Sequence, residues 1–130
     1  MFVEINNANN TEKLLITDAL WFAKEKLLPK HKNLDIEINL KKKLDVDAYV
    51  IDGDYKRHFI MEVRKCQDKD DLLTTIFHEF THIAQAVKGN DIFSLDHCNV
   101  NYSDRWFEKE AFEILSNFSS QNIINAQGLP

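Results

Sequence analysis

One long amphipathic pattern, between residues 70 and 87, constrains the fold of this chain more than any other feature. Apolar side chains recur there every three or four positions, which places them on one face of an α-helix. Gly89 stands where a C′ glycine would end such a helix. The apolar positions are Leu73, Ile76, Phe77, Phe80, Ile83, Ala84 and Val87. We therefore predict a helix over 70–87 that buries this face and turns its polar side toward a cleft.

Patterns elsewhere in the chain predict two more helices and a small sheet. Apolar and polar residues alternate in three segments, which is typical of half-buried strands. The Asp52-Gly53 step between the last two strands predicts a hairpin turn that needs a positive φ. Helices are expected at 11–28 and 105–118, and strands at 34–40, 46–52 and 56–65. This order predicts an α+β fold with an N-terminal helix and a three-stranded sheet.

Composition limits the classes of protein that the chain could represent. Its 130 residues are expected to form a single domain, 1–130, with a frayed tail at 119–130. A net charge of −5 argues against a basic nucleic-acid surface. No apolar run is long enough for a membrane span, and no secretory signal is visible at the start. Cys66 and Cys98 fit no CxxC pattern; a disulfide between them is the alternative, but we expect both to be reduced and so predict a cytoplasmic location.

The predicted helix 70–87 carries His78-Glu79-Phe80-Thr81-His82, an HExxH motif. Histidines at i and i+4 lie one helical turn apart on the same side, so both imidazoles can reach one metal ion. Glu79 lies beside them, where its carboxylate can reach a water on that ion. His78 and His82 are therefore candidate ligands of Zn²⁺, and Glu79 is a candidate general base.

A catalytic zinc site needs a third protein ligand. The metzincin pattern is excluded, because Gln85 and Lys88 stand where that class has glycine and histidine. A carboxylate on the helix predicted at 105–118 is the better candidate. Helical geometry places Glu108 and Glu110 on opposite edges of its apolar stripe and leaves the choice between them open.

The segments Leu73–Gln85 and Arg105–Ala111 resemble a family of small phage-encoded proteins assigned as zinc metallopeptidases. Members of that family carry HExxHxxQ followed by a WExEA-type motif, and they are similar to minimal gluzincins. In those enzymes the glutamate directly before alanine is the third ligand, so the resemblance implies a zinc site of His78, His82 and Glu110. In this chain Trp106 lies one place earlier than the family pattern has its tryptophan.

The resemblance implies a peptidase that acts on a peptide or protein substrate, with Glu79 as general base. From the net charge and the absence of a long apolar run, we expect neither nucleic acid nor a membrane as partner. If phage-encoded, the chain would work in the cytoplasm of the host cell. Tyr102 and His97 are expected as candidate donors to the oxyanion, ahead of Tyr55 and His58. Candidates for holding the histidine rings are Gln85, Asp71 and Glu113.

In zincins that the chain resembles, the strand at the sheet edge binds the extended substrate, and segment 56–65 would take that role if it lies at the edge. Two alternatives stay open at this point. The chain could be a catalytically inactive zinc-binding domain that serves as a phage structural or interaction protein, or a metal-free interaction domain in which the motif is accidental. Loss of stability on chelation would separate the last case from the others.

Overall fold

The computed structural model describes residues 1–90, 92–93, 100–102 and 105–117. The predicted tail, His97, Cys98 and Phe118 lie outside this part of the chain. The described elements are β1 (Phe2–Asn6), α1 (Asn10–Leu27), β2 (Asp35–Lys41), β3 (Ala48–Asp52), β4 (His58–Arg64), α2 (Lys69–Val87) and α3 (Trp106–Ser116). The mixed α/β content is thus confirmed, and each predicted helix and strand is found within a few residues of its expected bounds.

The sheet differs from the prediction, because it has four strands in the described residues and not three. Strand β1 precedes the helix that was expected to come first. This strand has only five residues, and its most buried positions, Val3 and Ile5, are half-buried. The apolar–polar alternation that would mark it in the sequence is therefore short and weak. The strand order is β1-β2-β4-β3. Strands β1, β2 and β4 are parallel, and β3 pairs antiparallel with β4.

Segment 56–65 does not lie at the sheet edge, so the condition for its role in substrate binding is not met. Strand β4 has β2 on one side and β3 on the other, so β3 is the edge strand on this side of the sheet. The chain reaches this arrangement because β3 returns along the outside of β4, while β2 and β4 pair as parallel neighbours. The short connections at 42–47 and 53–57 determine this order, and residue alternation within the strands carries no information about it.

The core lies between one face of the sheet and the helices α1 and α2. Apolar side chains from β2, β4 and both helices join one buried cluster, whose largest fully buried members include Phe77, Phe80, Leu20, Ile38 and Met61. The other face of β2 and β4 carries polar and charged residues such as Glu37, Asn39 and Glu62, together with Ile60. Helix α3 packs against α2. None of the described helices combines the length and apolar character that a membrane crossing requires.

Glycine is required at positions 53 and 89 for different structural reasons. Gly53 is not in the left-handed region, so the predicted positive φ is wrong. It is required by close approach, since a Cβ at this position would lie 2.1 Å from Nδ1 of His58. Gly89 has φ +94° and ends α2 as expected. The amide of Gly89 donates to the carbonyl of Ala86 and that of Asn90 to Gln85, which is the hydrogen-bond pattern of a Schellman motif.

Candidate metal centre

The two histidines of the HExxH motif lie side by side on the buried middle of α2. His78 is 7% exposed and His82 is 5% exposed, and the centroids of their rings are 4.9 Å apart. The i, i+4 spacing produces this pairing, because consecutive turns of a helix bring such side chains to the same face. Phe107 and Phe112 from α3 contact the rings of His82 and His78 respectively. The pair is thus enclosed where α3 covers α2.

Glu108 is the carboxylate that α3 brings to this pair. Its Oε1 lies 3.1 Å from Nε2 of His78 and 2.8 Å from Nε2 of His82, and its side chain is buried. Burial opposes the negative charge, but hydrogen bonds from both histidines outweigh it and hold the pKa of Glu108 at about 2. One oxygen therefore faces two imidazole nitrogens at a point where a cation would have three donors.

Glu110, the third ligand that the resemblance implied, does not face the two Nε2 atoms. Its Oε1 accepts a hydrogen bond of 2.9 Å from Nε2 of Gln85. Residues two positions apart on a helix point in directions that differ by about 200°, so only one of Glu108 and Glu110 can point at the histidine pair. The way α3 packs on α2 decides that it is Glu108. Trp106, which is half-exposed, stands just before this turn.

Gln85 is the partner that holds the ring of His82. Its Oε1 lies 2.8 Å from Nδ1 of His82, and its Nε2 donates to the carbonyl of Phe107 at 3.0 Å as well as to Glu110. The other two candidates for holding a histidine ring are exposed, Asp71 in the first turn of α2 and Glu113 on α3.

Glu79 is buried beside the histidine pair and is 6% exposed. Burial raises its pKa above the usual value, while the nearby His82 and His78 act in the opposite direction. One candidate ligand atom from each of His78, Glu79 and His82 lies within 4.8 Å of the others, so these three residues also form a group that could hold a metal ion. Two carboxylates, Glu79 and Glu108, are therefore close to the imidazoles, one from the same helix and one from across the interface.

A cavity of about 560 Å³ lies against this centre. Its walls come from the segment before β3, the first half of α2, and α3. The lining residues include His78, Glu79, Asp45, Val46, Thr75, Tyr102, Phe112 and Leu115. Asp47 and Arg64, which also line it, form an ion pair. The site thus has room for a ligand with both apolar and polar groups on the side where Glu79 lies.

Of the four candidate oxyanion donors, Tyr102 is the one that the structure places at this cavity. Its side chain is half-exposed, and its pKa is raised by partial burial of the hydroxyl together with the charge of Glu108. Its hydroxyl therefore keeps its proton at neutral pH. Tyr55 lines a different cavity, beside the β3–β4 turn and the end of α2, where His58 stacks on it. His97 lies outside the described residues.

No protein-family model, curated protein or solved structure matches this chain.

Proposed function

We propose that this chain is a zinc-dependent peptidase with a minimal zincin-like arrangement. The observation that carries the proposal is the position of Glu108, whose Oε1 lies 3.1 Å from Nε2 of His78 and 2.8 Å from Nε2 of His82. Two imidazoles and one carboxylate are the donor set of His₂Glu zinc sites, in which the fourth position is kept for water. We assign His78, His82 and Glu108 as the ligands, in place of a set that includes Glu110.

The residues present fit zinc by the chemistry of their donors. Nitrogen ligands with one carboxylate suit Zn²⁺ better than Mg²⁺ or Ca²⁺, which prefer sites made of oxygen alone. The three groups are also buried, and a buried carboxylate facing two rings is stabilised by a cation between them. Nδ1 of His82 contacts Oε1 of Gln85, and metal-binding histidines usually donate their other ring N–H to such a partner.

Zinc bound here would polarise a peptide carbonyl and lower the pKa of water toward neutrality. Glu79 would take the proton from the attacking water and pass it to the leaving amine. Its raised pKa suits this exchange, because a carboxylate with a pKa nearer the working pH is a stronger base toward the attacking water and can still give up the proton in the second step. Tyr102 keeps its proton and lines the same cavity as Glu79, so its hydroxyl would donate to the developing oxyanion.

The edge of β3 is the best place for an extended substrate. Strand β3 has β4 on one side and no partner on the other among the described strands. Ala48 begins this strand and lines the cavity beside Glu79. A peptide that pairs with this edge would gain main-chain hydrogen bonds and pass the catalytic glutamate. The apolar side chains of Val46, Phe112 and Leu115 would then contact one of its side chains.

An inactive domain that only holds zinc is the alternative. The cavity beside Glu79 favours the peptidase, because a zinc site that serves folding is normally closed by four protein ligands. The test is to load the purified chain with zinc and to follow cleavage of a mixture of denatured proteins by mass spectrometry. Wild type should cleave, and Glu79→Gln should bind zinc equally without cleaving. Zinc binding by both proteins without cleavage by either would favour the alternative.

A further inference from the structure

Gln85 connects the two helices that carry the proposed ligands. Its side chain is 2% exposed and makes three hydrogen bonds, one to a ring on α2 and two to groups on α3. The partners on α3 are the carbonyl of Phe107 and the carboxylate of Glu110. These positions flank Glu108 in the sequence, so the amide of Gln85 lies directly against the turn that presents the third ligand.

The partners on α3 determine which way the amide faces. A carbonyl oxygen and a carboxylate can only accept hydrogen bonds, so both need the NH₂ group of Gln85. The amide oxygen must then face His82. An oxygen is an acceptor, and Nδ1 of His82 must therefore carry a hydrogen to satisfy the contact of 2.8 Å. A neutral imidazole with its hydrogen on Nδ1 has its free lone pair on Nε2.

We propose that Glu110 and Gln85 form a relay that fixes the tautomer of His82, with Nδ1 protonated and Nε2 directed at the metal. Glu110 is a positioning residue in this relay and acts through Gln85. The inference rests on the proposed zinc site but not on peptide hydrolysis. It also gives each glutamate of the Glu108-Lys109-Glu110 segment a separate task, because Glu108 faces the metal while Glu110 sets the orientation of the amide.

Both acceptors on α3 contribute to this orientation. Phe107 supplies a neutral carbonyl at 3.0 Å, while Glu110 supplies a charged oxygen at 2.9 Å. Hydrogen bonds to charged groups are about twice as strong as those between neutral groups. Glu110 is therefore expected to contribute the larger part of the preference for this amide orientation. A neutral residue that still accepts a hydrogen bond should retain part of that preference.

The test measures zinc affinity, by competition with a chromophoric chelator, in a double-mutant cycle of Gln85→Leu and Glu110→Ala. Removing an outer-shell partner typically costs about 10–100-fold in metal affinity. We expect Gln85→Leu to lie in that range and Glu110→Ala to weaken binding by about tenfold. In the Gln85→Leu background, Glu110→Ala should have no further effect. Glu110→Gln should restore much of the affinity, and Glu113→Ala, at an exposed position on the same helix, should bind zinc as wild type does.

A second measurement identifies the coordinating atom. In wild type with ¹⁵N-labelled histidine and bound zinc, the ring spectrum of His82 should show a protonated Nδ1 and a coordinated Nε2. Coordination through Nδ1, or equal effects of Glu110→Ala in both backgrounds, would overturn the relay. Unchanged affinity in Gln85→Leu, in a chain that cleaves peptides, would overturn the relay and leave the peptidase standing. Zinc bound through Nε2 with the expected double-mutant cycle, but without peptide cleavage, would support the relay and contradict the peptidase. A wild type that binds no zinc would overturn both proposals.

Discussion

Nε2 of His82 and Oε1 of Glu108 lie 2.8 Å apart, although 26 positions separate the two residues in the chain. One belongs to α2 and the other to α3, so the contact exists only while the two helices pack together. The same carboxylate oxygen lies 3.1 Å from Nε2 of His78. The geometry of the proposed metal centre is thus set by a helix–helix interface, and substitutions in that interface test it directly.

Substituting the two glutamates of α3 should have unequal effects on zinc binding. We expect one zinc per chain in wild type and none retained in Glu108→Ala, because that variant loses one of three ligands. Glu110→Ala should still fill with zinc when the metal is in excess. Elemental analysis after gel filtration measures both. Loss of zinc in Glu110→Ala with retention in Glu108→Ala would contradict the assignment.

Glu79→Gln should separate metal binding from catalysis. The amide has nearly the shape of the carboxylate but cannot accept the proton, so we expect unchanged zinc content and a rate of peptide cleavage lower by about 10²–10⁴-fold. Circular dichroism would check that the fold is kept. If Glu79→Gln instead loses its zinc, Glu79 is a ligand of the metal and the group of His78, Glu79 and His82 is the metal site.

Tyr102→Phe should reduce kcat and leave KM near the wild-type value. The hydroxyl is proposed to donate to an oxyanion that exists only in the transition state, and removing one such donor costs about 10²–10³-fold in kcat. Tyr55→Phe is the matched control, because Tyr55 lines the other cavity. Steady-state kinetics on a fluorogenic peptide gives both constants. Equal losses in the two variants would show that Tyr102 has no special role in the reaction.

The metal-free protein should lose stability as pH rises above about 6.5. Although burial opposes a charged ring, hydrogen bonds to Glu108 and Gln85 raise the pKa of His82 above 6.5. A raised folded-state pKa stabilises the protein below the unfolded value, and this contribution disappears as pH rises through the folded value. Urea unfolding in the presence of a chelator measures the change. Glu108→Gln removes the charged partner and should flatten the dependence, whereas equal slopes in both proteins would contradict this origin.

On the acidic side, Glu108 and Glu79 act in opposite directions. The pKa of Glu108 is about 2 in the folded chain against an ordinary value of 4.5, so its contribution is present above about 4.5 and is lost as pH falls toward 2. The raised pKa of Glu79 has the reverse effect, because its burial penalises the charged form above pH 4.5. Glu79→Gln should therefore make the metal-free protein more sensitive to acid, which the same urea series would detect.

Gly53→Ala should destabilise the chain because of the ring of His58. The added Cβ would lie 2.1 Å from Nδ1, and that ring is held by a hydrogen bond from the amide of Asp54 and by stacking on Tyr55. We expect a loss of about 1–3 kcal/mol, as for other overpacked positions. The double variant Gly53→Ala with His58→Ala should be no less stable than His58→Ala alone. A further loss in the double variant would place the cause in the backbone and not in the ring.

The sequence predicts the elements of this fold better than their arrangement. The sequence predicts α2 at 70–87 and the helix occupies Lys69–Val87, because its apolar period is long and Gly89 marks its end. The position of β4 inside the sheet could not be predicted. Side-chain alternation reports which face of a strand is buried, and it carries no information on which strands lie to either side.

The candidate site shows the same division between local and long-range information. The pairing of His78 with His82 follows from helical spacing alone. The choice of Glu108 over Glu110 depends on which face of α3 is turned toward α2, which helical spacing within α3 does not determine by itself. The resemblance favoured Glu110, and the packing of Phe107 and Ala111 into the interface turns Glu108 toward the histidines instead.

The packing of α3 has a thermodynamic consequence for the metal. Helix α3 lies mainly on α2 and takes little part in the cluster between the sheet and the other helices. A local opening that separates α3 from α2 would thus remove Glu108 from the site while the rest of the protein stays folded. The free energy of zinc binding then includes the free energy of packing α3 against α2. Bound zinc should stabilise this packed state and slow hydrogen exchange of the amides of α3. Zinc would thus hold α3, the last described helix, against the rest of the folded chain.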